Sequence, residues 1–190
     1  AAWEAMKAIE VVAHALPELG NEARLDALCT LEADLMLHVD PMARVAAALA
    51  DQEAAKAFAR RLKLSNEERD RLVAALGTDV KITSYMSLRE MRRAIYKLGN
   101  EVFRDRVMLA WADAGGEKAQ QWRALVAHGQ MWTPPKLPLS GDEVMAAGVP
   151  AGPKVGVILR EVEDWWIDAD FPDDKLSVIE RLKAVAQGLA

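Results

Sequence analysis

The chain has 190 residues, 52% of them hydrophobic and 28% charged, with 24 Lys+Arg against 29 Asp+Glu for a formal net charge of -5. That balance supports a folded core and excludes a disordered or low-complexity chain, while a lone cysteine, Cys29, excludes an intrachain disulfide and a four-cysteine zinc site. No apolar run approaches the roughly 18 residues that span a bilayer, and Glu4 and Glu10 stand where a signal peptide would be basic and then apolar, so a reducing, cytoplasmic location without a membrane partner is expected.

Apolar residues recur at helical spacing almost throughout and period-two alternation is nearly absent, which predicts an all-α chain, a multi-helix array of about eight to ten helices with no significant sheet. Trp3, Met6, Ile9, Ala13 and Leu16 mark a first helix, stopped by Pro17 and Gly20. A second fits Glu22 to His38, with Leu25, Leu28, Leu31, Leu35 and Val39 along one side. Asp40-Pro41 then supplies an N-cap and a first-turn proline for an Ala-rich third helix through Val45 and Leu49. Ser65-Asn66-Glu67-Glu68 has the capping-box form and predicts a helix to about Leu76, and Ser87-Leu88-Arg89-Glu90 repeats it. Val80, Ile82 and Tyr85 between them have no second strand to pair with and read as a loop. Further helices fit Gln120 to His128, Ser140 to Ala147, a stretch through Trp166, and Asp173 to Gln187. Pro134, Pro135 and Pro138 forbid a helix and make a stiff connector, dividing the chain into a helical region 1–132, a Pro-rich connector 133–139 and a helical tail 140–190.

Charge is unevenly placed. Residues 56–106 hold 13 basic and 7 acidic side chains, whereas residues 1–55 hold 3 and 10 and residues 107–190 hold 8 and 12. Local charge, not the acidic average, is what attracts a polyanion. Projected at about 100° per residue, Leu88, Met91, Ile95, Leu98 and Val102 share one arc of a helix and Arg89, Arg92, Arg93, Tyr96, Lys97, Asn100 and Arg104 the opposite one. Guanidinium forks grip phosphate oxygens and an interleaved tyrosine can stack on a base, so this stripe reads as an RNA or DNA backbone contact or, equally simply, as a solvated helix face. Arg60, Arg61 and Lys63 form a second basic cluster before Ser65; a nucleic-acid contact and a favourable pairing with the helix macrodipole both fit it. Gly148-Val149-Pro150-Ala151-Gly152-Pro153-Lys154-Val155-Gly156 turns into a helix and could hold a phosphate at Gly152 and Lys154, or make a tight hairpin in which Gly156 permits close packing.

Catalytic groups are sparse. His14, His38 and His128 are isolated and none is followed by Asp, so no metal-binding His-Asp pair is present. Cys29, among Leu25, Leu28 and Leu31, reads as a partly buried thiol. Asp164, Asp168, Asp170, Asp173 and Asp174 match no calcium loop and read as a solvated acidic turn, beside Trp165, Trp166 and Phe171, which read as anchors of the last two helices.

Four strings in order, Leu62-Lys63-Leu64-Ser65-Asn66-Glu67-Glu68-Arg69, Arg93-Ala94-Ile95-Tyr96-Lys97-Leu98-Gly99, Pro138-Leu139-Ser140-Gly141-Asp142-Glu143-Val144-Met145 and Gly148-Val149-Pro150-Ala151-Gly152-Pro153-Lys154-Val155-Gly156-Val157-Ile158-Leu159, resemble the C-terminal half of bacterial tRNA nucleotidyltransferases, the CCA-adding enzymes and related poly(A) polymerases. The resemblance runs from about Leu16 to Leu182. It implies a helical neck, body and tail that recognise tRNA, and an N-terminal catalytic head as partner that uses magnesium with CTP and ATP. The head's combination of a Gly-Ser-x-Arg-Asp type loop with a magnesium-holding Asp-x-Asp pair does not occur here, nor does the neck's Glu-Asp-x-x-Arg pattern. These residues alone are therefore expected to be inactive, to hold no catalytic residue, metal or cofactor, and to belong to a longer enzyme, as the mid-helix opening Ala1-Ala2-Trp3 also suggests. The implied role is to grip the tRNA backbone with Arg89 to Arg104, Arg60, Arg61, Lys63 and the Gly152 turn. A helical protein-interaction module with a basic face is the competing reading, and a metal-dependent hydrolase a weaker third.

Overall fold

The computed structural model describes residues 11–188 apart from 38 and 116. The helix predicted on Trp3, Met6 and Ile9 lies largely outside the described residues, as does His38. The described helices are α1 (Val11–Ala15), α2 (Glu22–Asp34), α3 (Pro41–Ala48), α4 (Gln52–Leu62), α5 (Asn66–Ala75), α6 (Leu88–Leu98), α7 (Asn100–Asp113), α8 (Ala119–Met131), α9 (Gly141–Ala146), α10 (Pro153–Asp168) and α11 (Lys175–Gly188). One isolated antiparallel bridge, Leu19 to Leu49, is the extent of β pairing among the described residues, so the chain is all-α. None of these helices is long and apolar enough to cross a membrane.

Two compact units are present, Ala1–Ser87 with Leu98–Trp132 and Leu88–Lys97 with Thr133–Ala190. The helix from Leu88, read from sequence with the first 132 residues, groups instead with the C-terminal segment. The reason lies in its side chains: Tyr96 packs against the hydrophobic cluster of Val144, Ile158, Val162, Trp166, Val178 and Leu182.

In the first unit, local chemistry sets most helix ends. Asp40 accepts the Met42 and Ala43 N–H groups at 3.0 and 3.2 Å and Pro41 opens α3, as expected. The Ser65 hydroxyl accepts the Glu68 N–H at 3.2 Å while the Ser65 N–H donates to the Glu68 carboxylate at 2.8 Å. Helix α2 stops at Asp34 rather than at residue 38, because Met36 takes a left-handed φ of 50° and the Leu37 N–H returns to the Glu32 carbonyl at 2.9 Å. Leu49 leaves helical geometry after α3, and Asp51 then caps a separate α4 through the Ala54 N–H at 2.9 Å.

Two arginines, the half-buried Arg24 and the buried Arg106, close two of the C-terminal ends. Orphan carbonyls follow the last turn of any helix. Those of α3 are met by Arg24, whose guanidinium donates to the Ala47 oxygen at 2.9 Å and to the Leu49 oxygen at 2.5 Å. Arg106 serves α5 likewise, donating to the Ala74 oxygen at 2.7 Å, to Val80 at 3.2 Å and to Asp79 at 2.7 Å.

Arg71 joins three elements. It donates to both carboxylate oxygens of Asp105 on α7 at 2.8 and 3.0 Å, reaches Asp40 at the head of α3 at 2.5 Å, and pairs with Glu101 at 2.9 Å. Asp105 is 2% exposed. Burial pushes its carboxyl up, and Arg71 opposes that shift. Burial also raises Asp40, but the hydrogen bonds from Arg71 and from the Ala43 and Met42 N–H groups hold it below the usual carboxylate range overall. In the same unit Leu28, Leu49, Leu72, Phe103, Val107 and Trp111 are buried. Helices α7 and α8 approach closely at Gly129, where a Cβ would lie 2.9 Å from the Phe103 ring.

In the second unit the Ser140 N–H donates to the Glu143 carboxylate at 2.8 Å, Ser140 Oγ bonds the same oxygen, and Lys175 adds a bond at 3.0 Å. Together they bring the Glu143 pKa down to about 2. Asp174 caps α11 through the Leu176 and Ser177 N–H groups. Gly156 has open space where a Cβ would stand, so close packing is not the reason for it.

Replacing Asp105 by Ala takes from a largely buried guanidinium the most buried of its three carboxylate partners, and breaking such a pair costs about 3–5 kcal/mol. The urea midpoint of Asp105→Ala should fall accordingly, whereas Asp70→Ala, in an exposed pair with Arg69, should change it little.

Candidate nucleic-acid interface

The expected single stripe from Arg89 to Arg104 is interrupted. Gly99 takes φ 77°, a left-handed value open to glycine, and separates α6 from α7. Asn100 starts the new helix and donates to the carbonyls of Gly129 and Trp132 at 2.6 and 2.7 Å. Arg104 belongs with the first unit and lies 4.0 Å from Asp40.

On α6 itself the stripe is partly engaged. Arg92 pairs with Asp170 at 2.7 Å and Arg93 with Asp168 at 2.6 Å. The Tyr96 hydroxyl donates to Glu163 at 2.5 Å, and its ring meets Trp166 and Phe171 with centroids 5.8 and 5.2 Å away. Tyr96 is therefore a packing residue, not a free stacking platform. Trp166, whose indole donates to the Pro172 carbonyl at 2.9 Å, and Phe171 do anchor the end of α10. Asp168 and Asp170 were expected in a solvated turn; Asp168 is exposed and Asp170 half-buried at the turn that ends α10, and they also pair with Arg93 and Arg92 of α6. They have Asp-x-Asp spacing, but no group of three metal-ligating side chains occurs among the described residues. Cys29 is half-buried and burial raises its thiol, as its neighbours suggested.

The second cluster divides too. Arg61 donates to both carboxylate oxygens of Glu18 at 2.7 and 2.6 Å, which raises the guanidinium and holds Glu18 below the usual carboxylate range. Arg60 and Lys63 have no such partner among the described residues. They line a hollow of about 490 Å³ with Lys56 and Arg69, two residues that sequence reasoning left out because Lys56 stands a turn before the cluster and Arg69 belongs to the next helix. Gly152, with φ 148°, precedes α10, and Lys154 is exposed beside a smaller hollow of about 180 Å³.

Of the 13 cations between residues 56 and 106, Arg60, Lys63, Lys81, Arg89 and Lys97 keep no carboxylate partner among the described residues. Those five have no carboxylate to leave and are the charge most directly available to an anion, while Lys56 and Arg69 are tied only to local, exposed carboxylates.

The fold and this distribution define an all-helical module with no clustered metal ligands among its described residues and a small set of uncommitted cations. Residues 42–182 match the family model of tRNA nucleotidyltransferase domain 2, and the chain belongs to that family. A Rhodospirillum rubrum protein, described as an uncharacterized 28 kDa protein in the petA 5′ region, is 35% identical over 81 residues, or 39% of this chain and 31% of that protein. The match thus spans under a third of that relative's length.

The pairing of Tyr96 has a spectroscopic consequence. Burial, then the hydrogen bond to Glu163, pushes its phenol up to about 12, against about 10 in an unfolded chain. Because the folded value is the higher one, the stabilisation is complete below about pH 10 and is lost as pH rises through about 12. Absorbance titration should show one of the two tyrosines ionising near pH 12, and Glu163→Gln should move that inflection down.

Proposed function

We propose that the chain is the tRNA-binding helical portion of a CCA-adding or poly(A)-adding nucleotidyltransferase, positioning the tRNA 3′ end for a catalytic head supplied by another part of the enzyme. The match of residues 42–182 to tRNA nucleotidyltransferase domain 2 carries this reading. The uncommitted cations support it: Arg89 and Lys97 on α6, Arg60 and Lys63 at the end of α4, and the exposed Lys154 after Gly152. Contacts to phosphate and sugar position an RNA without reading its sequence, as an enzyme acting on every tRNA requires. Arg92, Arg93, Tyr96 and Arg61, engaged by carboxylates, hold the scaffold from which the others project. Magnesium, CTP and ATP belong in this reading to the head.

Binding of tRNA should weaken steeply between 50 and 200 mM salt. Arg89→Glu with Lys97→Glu should weaken it roughly tenfold or more with unchanged thermal unfolding, whereas Arg92→Gln should lower the unfolding temperature more than it changes affinity. Salt-independent binding, or none by the whole chain, contradicts the proposal.

A further inference from the structure

The hollow between α4 and α5 collects like charge without a structural reason for it. Its rim holds Lys56, Arg60, Lys63 and Arg69, and Asp70 is the one acid among the described residues that line it. Ala59, Leu64 and Val73 contribute its apolar part. Lys56 and Arg60 fall at i and i+4 on one ridge of α4, where like charges repel by a few tenths of a kcal/mol, and Lys63, the left-handed residue that ends the helix, adds a third charge to the same hollow.

The helix macrodipole accounts for only part of this. It favours cations in the last turn of α4, where Arg60 and Arg61 sit. It gives no reason for Lys56 about a turn earlier, and it disfavours Arg69 close to the start of α5, an end already supplied with Glu67 and Glu68. Ion pairing accounts for little more. Arg61 is held by Glu18 and points to what a structural arginine does here. Lys56 meets Glu53 and Arg69 meets Asp70 only as exposed local pairs, which contribute little and exchange readily with a stronger anion. Arg60 and Lys63 meet no carboxylate among the described residues.

We propose that this hollow seats consecutive phosphates, with Arg60 and Lys63 as the principal donors and Lys56 and Arg69 turning from their local carboxylates to join them. An anion there would relieve the repulsion along the ridge. Arginine can grip two oxygens of one phosphate, and the lysines add point charge to the next. The phosphates belong to an RNA strand or to a free polyphosphate such as a nucleoside triphosphate. The RNA source rests on the function proposed above; the seat itself does not.

Amide NMR of the isotope-labelled chain separates these cases. Inorganic tripolyphosphate should shift the amides of residues 60–70, and Arg60→Gln with Lys63→Gln should weaken that binding roughly tenfold or more. Arg89→Gln with Lys97→Gln should leave it unchanged, and both double variants should melt like the wild type because all four residues are exposed. Displacement of tripolyphosphate by tRNA assigns the seat to an RNA strand. Shifts by tripolyphosphate with no binding of tRNA anywhere keep the seat, assign it to a free polyphosphate and overturn the tRNA reading alone. The absence of localised shifts with either probe, or shifts indifferent to Arg60→Gln with Lys63→Gln, overturns the seat.

Discussion

The first unit depends on a single guanidinium. Arg71 of α5 binds the buried Asp105 of α7, the Asp40 carboxylate and Glu101. Asp40 meanwhile uses its other oxygen to cap α3. One cation therefore fixes the start of one helix, the face of a second and the orientation of its own. Its desolvation is offset because nearly every donor has a carboxylate, the condition under which a buried charge is tolerated.

The same accounting explains why a stretch with an excess of basic residues offers so few of them to a ligand. Arg106 and Arg71 serve the interior, Arg61 holds Glu18, and Arg92 and Arg93 hold the end of α10. What remains without a carboxylate is Arg60 and Lys63 in the first unit and Arg89 and Lys97 in the second, with Lys81 in the loop after α5, while Lys56 and Arg69 have only local, exposed ones. The acidic flanks of the sequence are in part the partners of its basic centre: Glu18 and Asp40 precede it, and Asp168 and Asp170 follow it. Charge summed by segment overstates the surface that an RNA would meet.

Helix starts were legible where a cap is paired with a second local signal. Ser65 with Glu68, Ser140 with Glu143, and Asp40 with Pro41 mark starts that the structure reproduces, because a cap needs only residues within one turn. The break at Gly99 was not, since one glycine inside a periodic pattern costs only about 1 kcal/mol and does not by itself end a helix. Nor was the separate start at Asp51, which follows an unbroken run of small apolar residues. The candidate site was legible in composition and not in assignment. Arg92 and Tyr96 meet partners 78 and 67 positions away, and a helical projection cannot see them. Lys56 and Arg69 join Arg60 and Lys63 only because α4 and α5 pack together.

That intramolecular pairing decides which cations remain for the proposed RNA ligand can be read residue by residue from lysine acylation with and without tRNA. Lys63 and Lys97, which have no carboxylate partner among the described residues, should lose reactivity in the complex, and Lys175, held by Glu143, should keep its own. Unchanged reactivity of Lys63 and Lys97 in a chain saturated with tRNA, with protection appearing instead at Lys175, would contradict the account.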